Sequence, residues 1–279
     1  MIDDDEIRRR AIGALRGLAV GDAMGAATEG YLPDEVEEVY EAPIAELVDP
    51  VNLYPDAVAD RQLAVIGGVT RAALDAAEAL SRGERPALAE DGIGWAVPLG
   101  IVSAIDDLDG ITQIVAGVAD VATAASGAAV AAAVAAGVSG YMVRDAISLA
   151  VRAAELAGSP DVVRRIVLAT GEAQASGGRQ VGAVVGASYP AGPGIVDATA
   201  FAFGVAFGAQ SVRRAIPEAV NQGGRASLSA ALAGAICGAI IPGSTVESWS
   251  DQVEAASGID LAALAGRLLE ARRRRVRSG

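Results

Sequence analysis

Apolar residues recur at spacings of three and four along most of the chain, the period of helices that bury one face. Ile7, Ala11, Leu15 and Leu18 set the first such stripe, and Asp3, Asp4, Asp5 and Glu6 give it an acidic first turn. A loop is expected around Tyr31-Leu32-Pro33. The stretch from there to Asp60 reads as acidic and irregular, broken by Pro43, Pro50 and Pro55. The pattern predicts a second long helix over 63–81, a loop over 91–95 closed by Pro98, and helices over roughly 111–125, 127–140 and 142–157. Ser159-Pro160 reads as the cap and first position of a helix reaching about Gln174. A Gly-rich loop is expected over 177–194, then helices at about 195–208, 211–221, 225–240, 245–256 and 260–275. No stretch alternates like a strand and no fixed repeat appears. The expected fold is all-α, one domain over residues 1–279. Gly and Pro cluster at 50–56, 91–98, 177–194 and 221–224, and these loops are expected to converge on a site.

Composition changes this picture in one respect. Hydrophobic residues make up 52% of the chain but aromatics only 4%, with alanine and glycine filling the space. Such a core requires helices that approach closely. Gly13, Gly17, Gly21 and Gly25, each four apart, read as a helix-packing face. Two uncharged stretches, 121–143 and 227–246, have the length of membrane spans. They are mostly Ala, Gly and Ser, so they read as buried bundle helices, and no membrane partner is expected. The N-terminus has no basic leader or apolar block, and a cytoplasmic setting is expected.

Charge and residue usage narrow the chemistry. A net charge of −13 disfavours nucleic acid and anionic surfaces. The arginine-rich tail over 271–277 reads as a solvated helix end that its own dipole favours. The chain has no histidine and no lysine, which removes Ser-His-Asp and Cys-His catalysis, imidazole metal sites and Schiff bases. The single cysteine, Cys237, lies in an apolar run and reads as core. Nothing matches a dinucleotide fingerprint, a phosphate loop or a zinc site, and no cofactor is expected.

Carboxylates are left to do chemistry. In Gly17-Leu18-Ala19-Val20-Gly21-Asp22-Ala23-Met24-Gly25-Ala26-Ala27-Thr28-Glu29-Gly30, Asp22 follows Leu18 by four residues and shares its apolar face. Glu29 lies two turns further on if the helix continues. A buried acid needs partners, and two on one face mark a candidate site or a polar link to a neighbouring loop. Trp95 fits either stacking on a ligand ring or plugging the core. Tyr54 and Tyr189 are candidate pocket-wall donors.

The 17–30 stretch resembles the N-terminal signature of the ADP-ribosylglycohydrolases. Asp91-Gly92-Ile93-Gly94-Trp95-Ala96-Val97-Pro98-Leu99-Gly100 resembles that family's Asn-Gly loop, and Asn221-Gln222-Gly223-Gly224 its last motif. The resemblance runs from about residue 8 to 272. It implies an all-α fold that removes ADP-ribose from side chains or related substrates, using two Mg²⁺ ions held by acids. Those acids come from a Thr-Asp-Asp-Thr motif and an Asp-x-Asp-Thr motif. Here the corresponding positions read Val58-Ala59-Asp60-Arg61 and Arg225-Ala226-Ser227-Leu228. Asp60 alone remains of those acids, and no metal site is expected.

Asp22, Glu29 and Asp60 are therefore the expected catalytic residues. Tyr54, Asp91, Trp95, Tyr189, Asn221, Arg225 and Ser227 form the expected substrate-binding set. Arg225 opens a helix whose N-terminus should favour an acid. One explanation is that its guanidinium replaces the metal and neutralises Asp22 and Asp60; another is that it points to solvent. Three functions stay open: a metal-independent enzyme acting on a small molecule by isomerisation, elimination, cyclisation or glycosidic cleavage; a non-catalytic binder of ADP-ribose or another nucleotide; and a Mg-dependent ADP-ribosyl hydrolase.

Overall fold

The computed structural model describes residues 2–51, 62–89, 92–189 and 194–278. Among these it forms fourteen helices and no strand. In chain order they are α1 (Asp4–Gly25), α2 (Pro33–Tyr40), α3 (Gly68–Arg82), α4 (Ala96–Val102), α5 (Leu108–Val115), α6 (Val121–Val138) and α7 (Val143–Leu156). Then follow α8 (Pro160–Ala175), α9 (Val181–Ser188), α10 (Ile195–Ala209), α11 (Val212–Val220), α12 (Ala226–Ile240), α13 (Glu247–Ser257) and α14 (Leu261–Ser278). The all-α expectation holds.

The centre of the bundle is the antiparallel pair α1 and α12. A Cβ on Gly13 would lie 2.3 Å from the Gly238 carbonyl oxygen, one on Gly17 2.1 Å from that of Gly234, and one on Gly21 2.2 Å from that of Ala230. A Cβ on Gly25 would lie 2.5 Å from the Ala226 carbonyl carbon. The four-residue glycine spacing thus lets two backbones touch, which no larger residue allows. α6 and α10 close over this pair with mostly Ala, Gly and Val, and both are largely buried. α6 is long and apolar enough to cross a membrane, but 89% of it lies inside the fold.

Several element boundaries differ from the sequence pattern, each for a physical reason. α3 begins at Gly68 rather than residue 63, because Ala64 takes a left-handed φ of 60° and residues 66–67 bond to other helices. The break expected after residue 125 does not occur: Gly127 lies inside α6, where a Cβ would sit 2.1 Å from the Trp95 ring. α5 ends at Val115, and Asp120 caps α6 through the Thr123 N–H. Past the expected loop, Pro98 does not close it but lies in a helix: residues 96–102 form α4, with Pro98 tolerated in the first turn, where its missing N–H has no helical partner. The segment after Tyr31 contains α2, opened by Pro33 and by Glu35 accepting the Leu32 N–H at 2.8 Å. The expected loop over 177–194 contains α9. Its glycines are there for contact: a Cβ on Gly182 would meet the Glu218 carbonyl oxygen at 2.2 Å.

Arginines close several helix C-termini, among them the end of α12 away from the 221–224 turn. Arg10 Nη1 donates to the Gly137 and Ile240 carbonyls, at 3.0 and 2.7 Å, serving the C-termini of α6 and α12 together. The tail arginines are not simply solvated, as the sequence pattern suggests. Arg272 donates to Ser139 Oγ at 2.7 Å and to the Ile101 carbonyl at 3.3 Å, and Arg274 to the Ser81 carbonyl at 2.7 Å. Each lies where a helix exposes unpaired carbonyls and partial negative charge.

Gly17→Ala should lower the denaturation midpoint, costing about 2 kcal/mol or more, since overpacking against a backbone outweighs the helix propensity of alanine. Gly266→Ala, on α14 with nothing within 4 Å, should instead raise stability by up to about 1 kcal/mol. Chemical denaturation of the two variants beside the parent distinguishes close approach from mere glycine tolerance.

Candidate functional site

Where the C-terminal end of α1 meets the N-terminal end of α12, two carboxylates come together. Asp22 sits on the last turn of α1, on the face that Leu18 buries, and has no exposed surface. Its Oδ2 accepts the Gly67 N–H at 2.9 Å and the Thr70 N–H at 2.8 Å. Gly67 is the N-cap of α3 and carries no side chain to cap it. Asp22 therefore caps α3 from another helix, and a Cβ at Gly67 would come within 2.6 Å of Oδ1. Among the described residues its Oδ1 makes no hydrogen bond of ordinary geometry, and the buried Thr70 hydroxyl, which lies beside this carboxylate, makes none either. Burial pushes the Asp22 carboxyl up to about 6; the Thr70 N–H, the Thr70 hydroxyl and the Gly67 N–H act against that rise, and the nearby Glu29 charge adds to it.

Glu29 reaches the same region by a different route from the one its spacing suggests. α1 ends at Gly25, and residues 26–30 form a turn, so Glu29 does not lie on the helix. The turn is stitched to the α11–α12 connection. Gly30 N–H donates to the Gly224 carbonyl at 2.6 Å, Gly224 N–H to Tyr31 at 2.8 Å, and Thr28 Oγ1 to Val220 at 2.6 Å. Gly223 has φ +65°, and a Cβ there would lie 2.1 Å from the Tyr31 carbonyl oxygen, so only glycine fits. Held this way, Glu29 Oε2 accepts the Ser227 N–H at 2.7 Å. Ser227 is in the first turn of α12, whose N-cap, half-buried Arg225, makes no side-chain cap. The acid that this helix N-terminus favours is supplied from 198 residues away.

Arg225 does not pair with Asp22. Both bonds of ordinary geometry to the Asp22 carboxylate come from backbone amides, and its other oxygen has only the Thr70 hydroxyl beside it among the described residues. Neutralisation of Asp22 by that guanidinium, expected as one explanation, is not what the fold uses; amides and a raised pKa take its place. Asp60, Tyr54 and Asp91 lie outside the described residues.

The remaining expected site residues divide. Asn221 is a latch: its side chain accepts the Ile44 N–H and donates to the Ile44 carbonyl, both at 2.8 Å, and also donates to Pro217. This fastens residue 44 to the α11–α12 turn and leaves little of the amide for a ligand. Trp95 is fully buried, its ring against Gly127 and its Nε1 donating to Ala89 at 3.1 Å, so it plugs the core and offers no face to a ligand. Tyr189 is buried on α9, donating to the Arg165 carbonyl at 3.2 Å, and burial and Glu172 hold its phenol above the usual range. It belongs to the α8–α9–α10 side rather than to the carboxylate pair. Cys237 is core, as its surroundings suggest: burial pushes its thiol up to about 12.

Of the loops expected to converge, 221–224 forms one wall. The turn before α4 joins the α3 start, with a Gly94 Cβ 2.0 Å from the Val69 carbonyl oxygen if it existed. The 177–189 stretch reaches the 221–224 turn through Gly186, whose Cβ would meet Gln222 Oε1 at 2.5 Å. Gly67 and Thr70 are the site residues that the sequence pattern does not reveal. The Gly67-Gly68 pair inside a presumed helix is the one trace of them.

The family model described as ADP-ribosylglycohydrolase matches residues 3–61 and 58–277. Among solved structures, one titled "ADP-ribosylglycohydrolase-related protein complex" is similar, with a TM-score of 0.64 and 18% identity; the match covers 96% of this chain and 99% of that one. No curated protein matches the chain.

Two predictions test the roles of the acids. Asp22 is ordinarily ionised above about pH 4 when unfolded but holds its proton to about 6 when folded. The native state then binds more protons in that window, so stability falls as pH rises through it, by about 3 kcal/mol at most. Asp22→Asn, which keeps an oxygen for the two amides, should lack this loss; denaturation at pH 4 and pH 7.5 compares the slopes. Glu29→Ala should cost about 1 kcal/mol or somewhat more through the lost cap, and Glu29→Gln clearly less. Equal losses for the two would mean that the Ser227 bond is not what Glu29 supplies.

Proposed function

This chain belongs to the ADP-ribosylglycohydrolase family, and we propose that it is a member whose small-molecule site works without the family's two Mg²⁺ ions, with Asp22 as the group that gives and takes a proton. The observation that carries this is the Asp22 carboxyl itself. One oxygen is anchored by two amides, and the other is buried with only the Thr70 hydroxyl beside it among the described residues. A buried polar atom short of partners is expensive, and a ligand atom is one way to satisfy it. With its pKa raised to about 6, both protonation states are within reach near neutral pH, as acid–base work requires.

The donor set of the described residues does not fit a magnesium pair. Magnesium takes near-octahedral oxygen ligands, usually one or two carboxylates with retained waters, so a pair of ions needs several acids between them. No three acidic, Cys or His side chains gather among the described residues. The first turn of α12 brings Arg225 and Ser227, and its amide already binds Glu29. A guanidinium there repels a cation and attracts the anionic part of a substrate. In this reading Arg225 orients an anion, Asp22 moves the proton, and Asp60 is the expected second acid. Isomerisation, elimination, cyclisation and glycosidic cleavage all suit such a set, in a cytoplasmic setting.

A second reading, a binder of ADP-ribose or another nucleotide without turnover, is favoured by one observation. Asp22 and Glu29 each cap a helix that lacks a cap of its own, so the acid pair has structural work to do without catalysis.

Calorimetric titration with Mg²⁺ alone should show no saturable binding. Thermal unfolding with ADP-ribose should be the same with Mg²⁺ and with EDTA, whatever its size; a ligand at a hundred times its dissociation constant adds about 2.7 kcal/mol. Two-site Mg²⁺ binding that Asp22→Asn abolishes, or an ADP-ribose shift that EDTA removes, would return the chain to metal-dependent hydrolysis. An EDTA-resistant shift that survives Asp22→Asn, with no ADP-ribose consumed, favours the binder.

A further inference from the structure

Along one side of the bundle α3 and α14 run in the same direction. Near their ends Arg274 donates to the Ser81 carbonyl at 2.7 Å, and just ahead of their starts the Ile66 N–H donates to Ser257 Oγ at 3.2 Å. Between them lies a groove of about 380 Å³, a size that small-molecule sites commonly have. Leu74, Ile259 and Leu264 form its apolar lining, and Glu78, Asp260 and Arg267 bring its charges. Leu264 is buried, and Leu74 and Ile259 are half-buried. The groove shares no residue with the Asp22–Glu29 site.

The three charges line one groove but do not pair across it. Glu78 is met by Arg82 at 2.9 Å, and Asp260 accepts the Ala263 N–H at 2.8 Å in the first turn of α14. Arg267 is exposed and makes no hydrogen bond or ion pair with the described residues. Helix geometry explains the separation. Arg267 lies two turns before Arg274, as Leu74 lies two turns before Ser81, so Arg267 and Leu74 are level. Glu78 then stands about 6 Å further along the axis, and Asp260 about 10 Å back. The result is one cation flanked by two acids over an apolar floor.

We propose that this groove binds a free α-amino acid with an apolar side chain, its carboxylate on Arg267, its ammonium on Glu78 and its side chain over Leu264 and Ile259. The charges select that class. A simple anion would meet two acids, and a simple cation the arginine. A divalent ion needs its carboxylates together, and here Arg267 stands between them. An uncharged apolar molecule would take three charged groups out of water without pairing any of them. A peptide carries its ammonium and carboxylate at opposite ends, whereas a free amino acid holds them one carbon apart, which suits the single-turn offset of Arg267 and Glu78. The exposed Glu78–Arg82 pair is weak, so the second oxygen of Glu78 is open to an ammonium.

Calorimetric titration of the full chain with L-leucine should saturate with a dissociation constant of about 0.1–5 mM, as so small a ligand allows. Isoamylamine lacks the carboxylate, 4-methylvalerate the ammonium and glycine the side chain, and each should bind at least about tenfold more weakly. Arg267→Gln should weaken leucine binding at least about tenfold with circular dichroism unchanged. Asp22→Asn should leave it as it is, which separates this groove from the carboxylate site whatever that site does. No saturable leucine binding up to about 30 mM would overturn the proposal. So would a fragment that binds as tightly as leucine, or leucine binding that Arg267→Gln leaves intact.

Discussion

Backbone touching backbone along α1 and α12 is the contact on which the rest of the structure depends. Four glycines on α1 and two glycines and two alanines on α12 remove the side chains that ordinarily hold helices 8–10 Å apart. Helices that close leave no freedom of register, because a slide of one residue would put a Cβ into a carbonyl. Position along the seam is therefore set to within a fraction of a turn. That is what brings the last turn of α1, with Asp22, and the turn after it, with Glu29, to the first turn of α12.

From this placement follows an exchange of caps. α3 and α12 both start without a side-chain acceptor of their own, one at a glycine and the other at an arginine. Each receives a carboxylate from the α1 end instead. The arrangement buries charge, and Asp22 meets that cost partly with amide bonds and partly by holding its proton more tightly. At helix C-termini the polarity reverses: Arg10 meets the carbonyls of α6 and α12, and Arg272 and Arg274 those of α4 and α3. The bundle is thus acidic where its central helix begins and basic where it ends, as the dipole of α12 favours. One oxygen of Asp22 and the Thr70 hydroxyl stand outside this economy of caps, which is why the chemistry is sought there.

Glycine was the residue hardest to read from sequence. Gly127, Gly182 and Gly186 look like punctuation, and in the fold they are contacts, against Trp95, α11 and the turn that follows it. A glycine that lets something approach and a glycine that ends a helix leave the same letter. The converse error attaches to Trp95 and Tyr189, whose rings suit a ligand in the abstract but fill the core in fact. Thr70 had no signal at all, since a threonine in an apolar helix has many innocent explanations.

By itself the sequence determined the helical class, through a period of three and four sustained over most of the chain, and the poverty of large side chains that demands close packing. It determined that carboxylates, not imidazoles or lysines, must carry any acid–base chemistry, and it singled out Asp22 by a charge on an apolar face. Only the tertiary structure decided what those acids hold. Glu29 meets Ser227 and Asp22 meets Thr70 across separations of 198 and 48 residues. Such pairings depend on the register of a backbone seam and on one left-handed glycine at 223. Local periodicity records which face of a helix is buried; it carries no record of which helix end lies opposite.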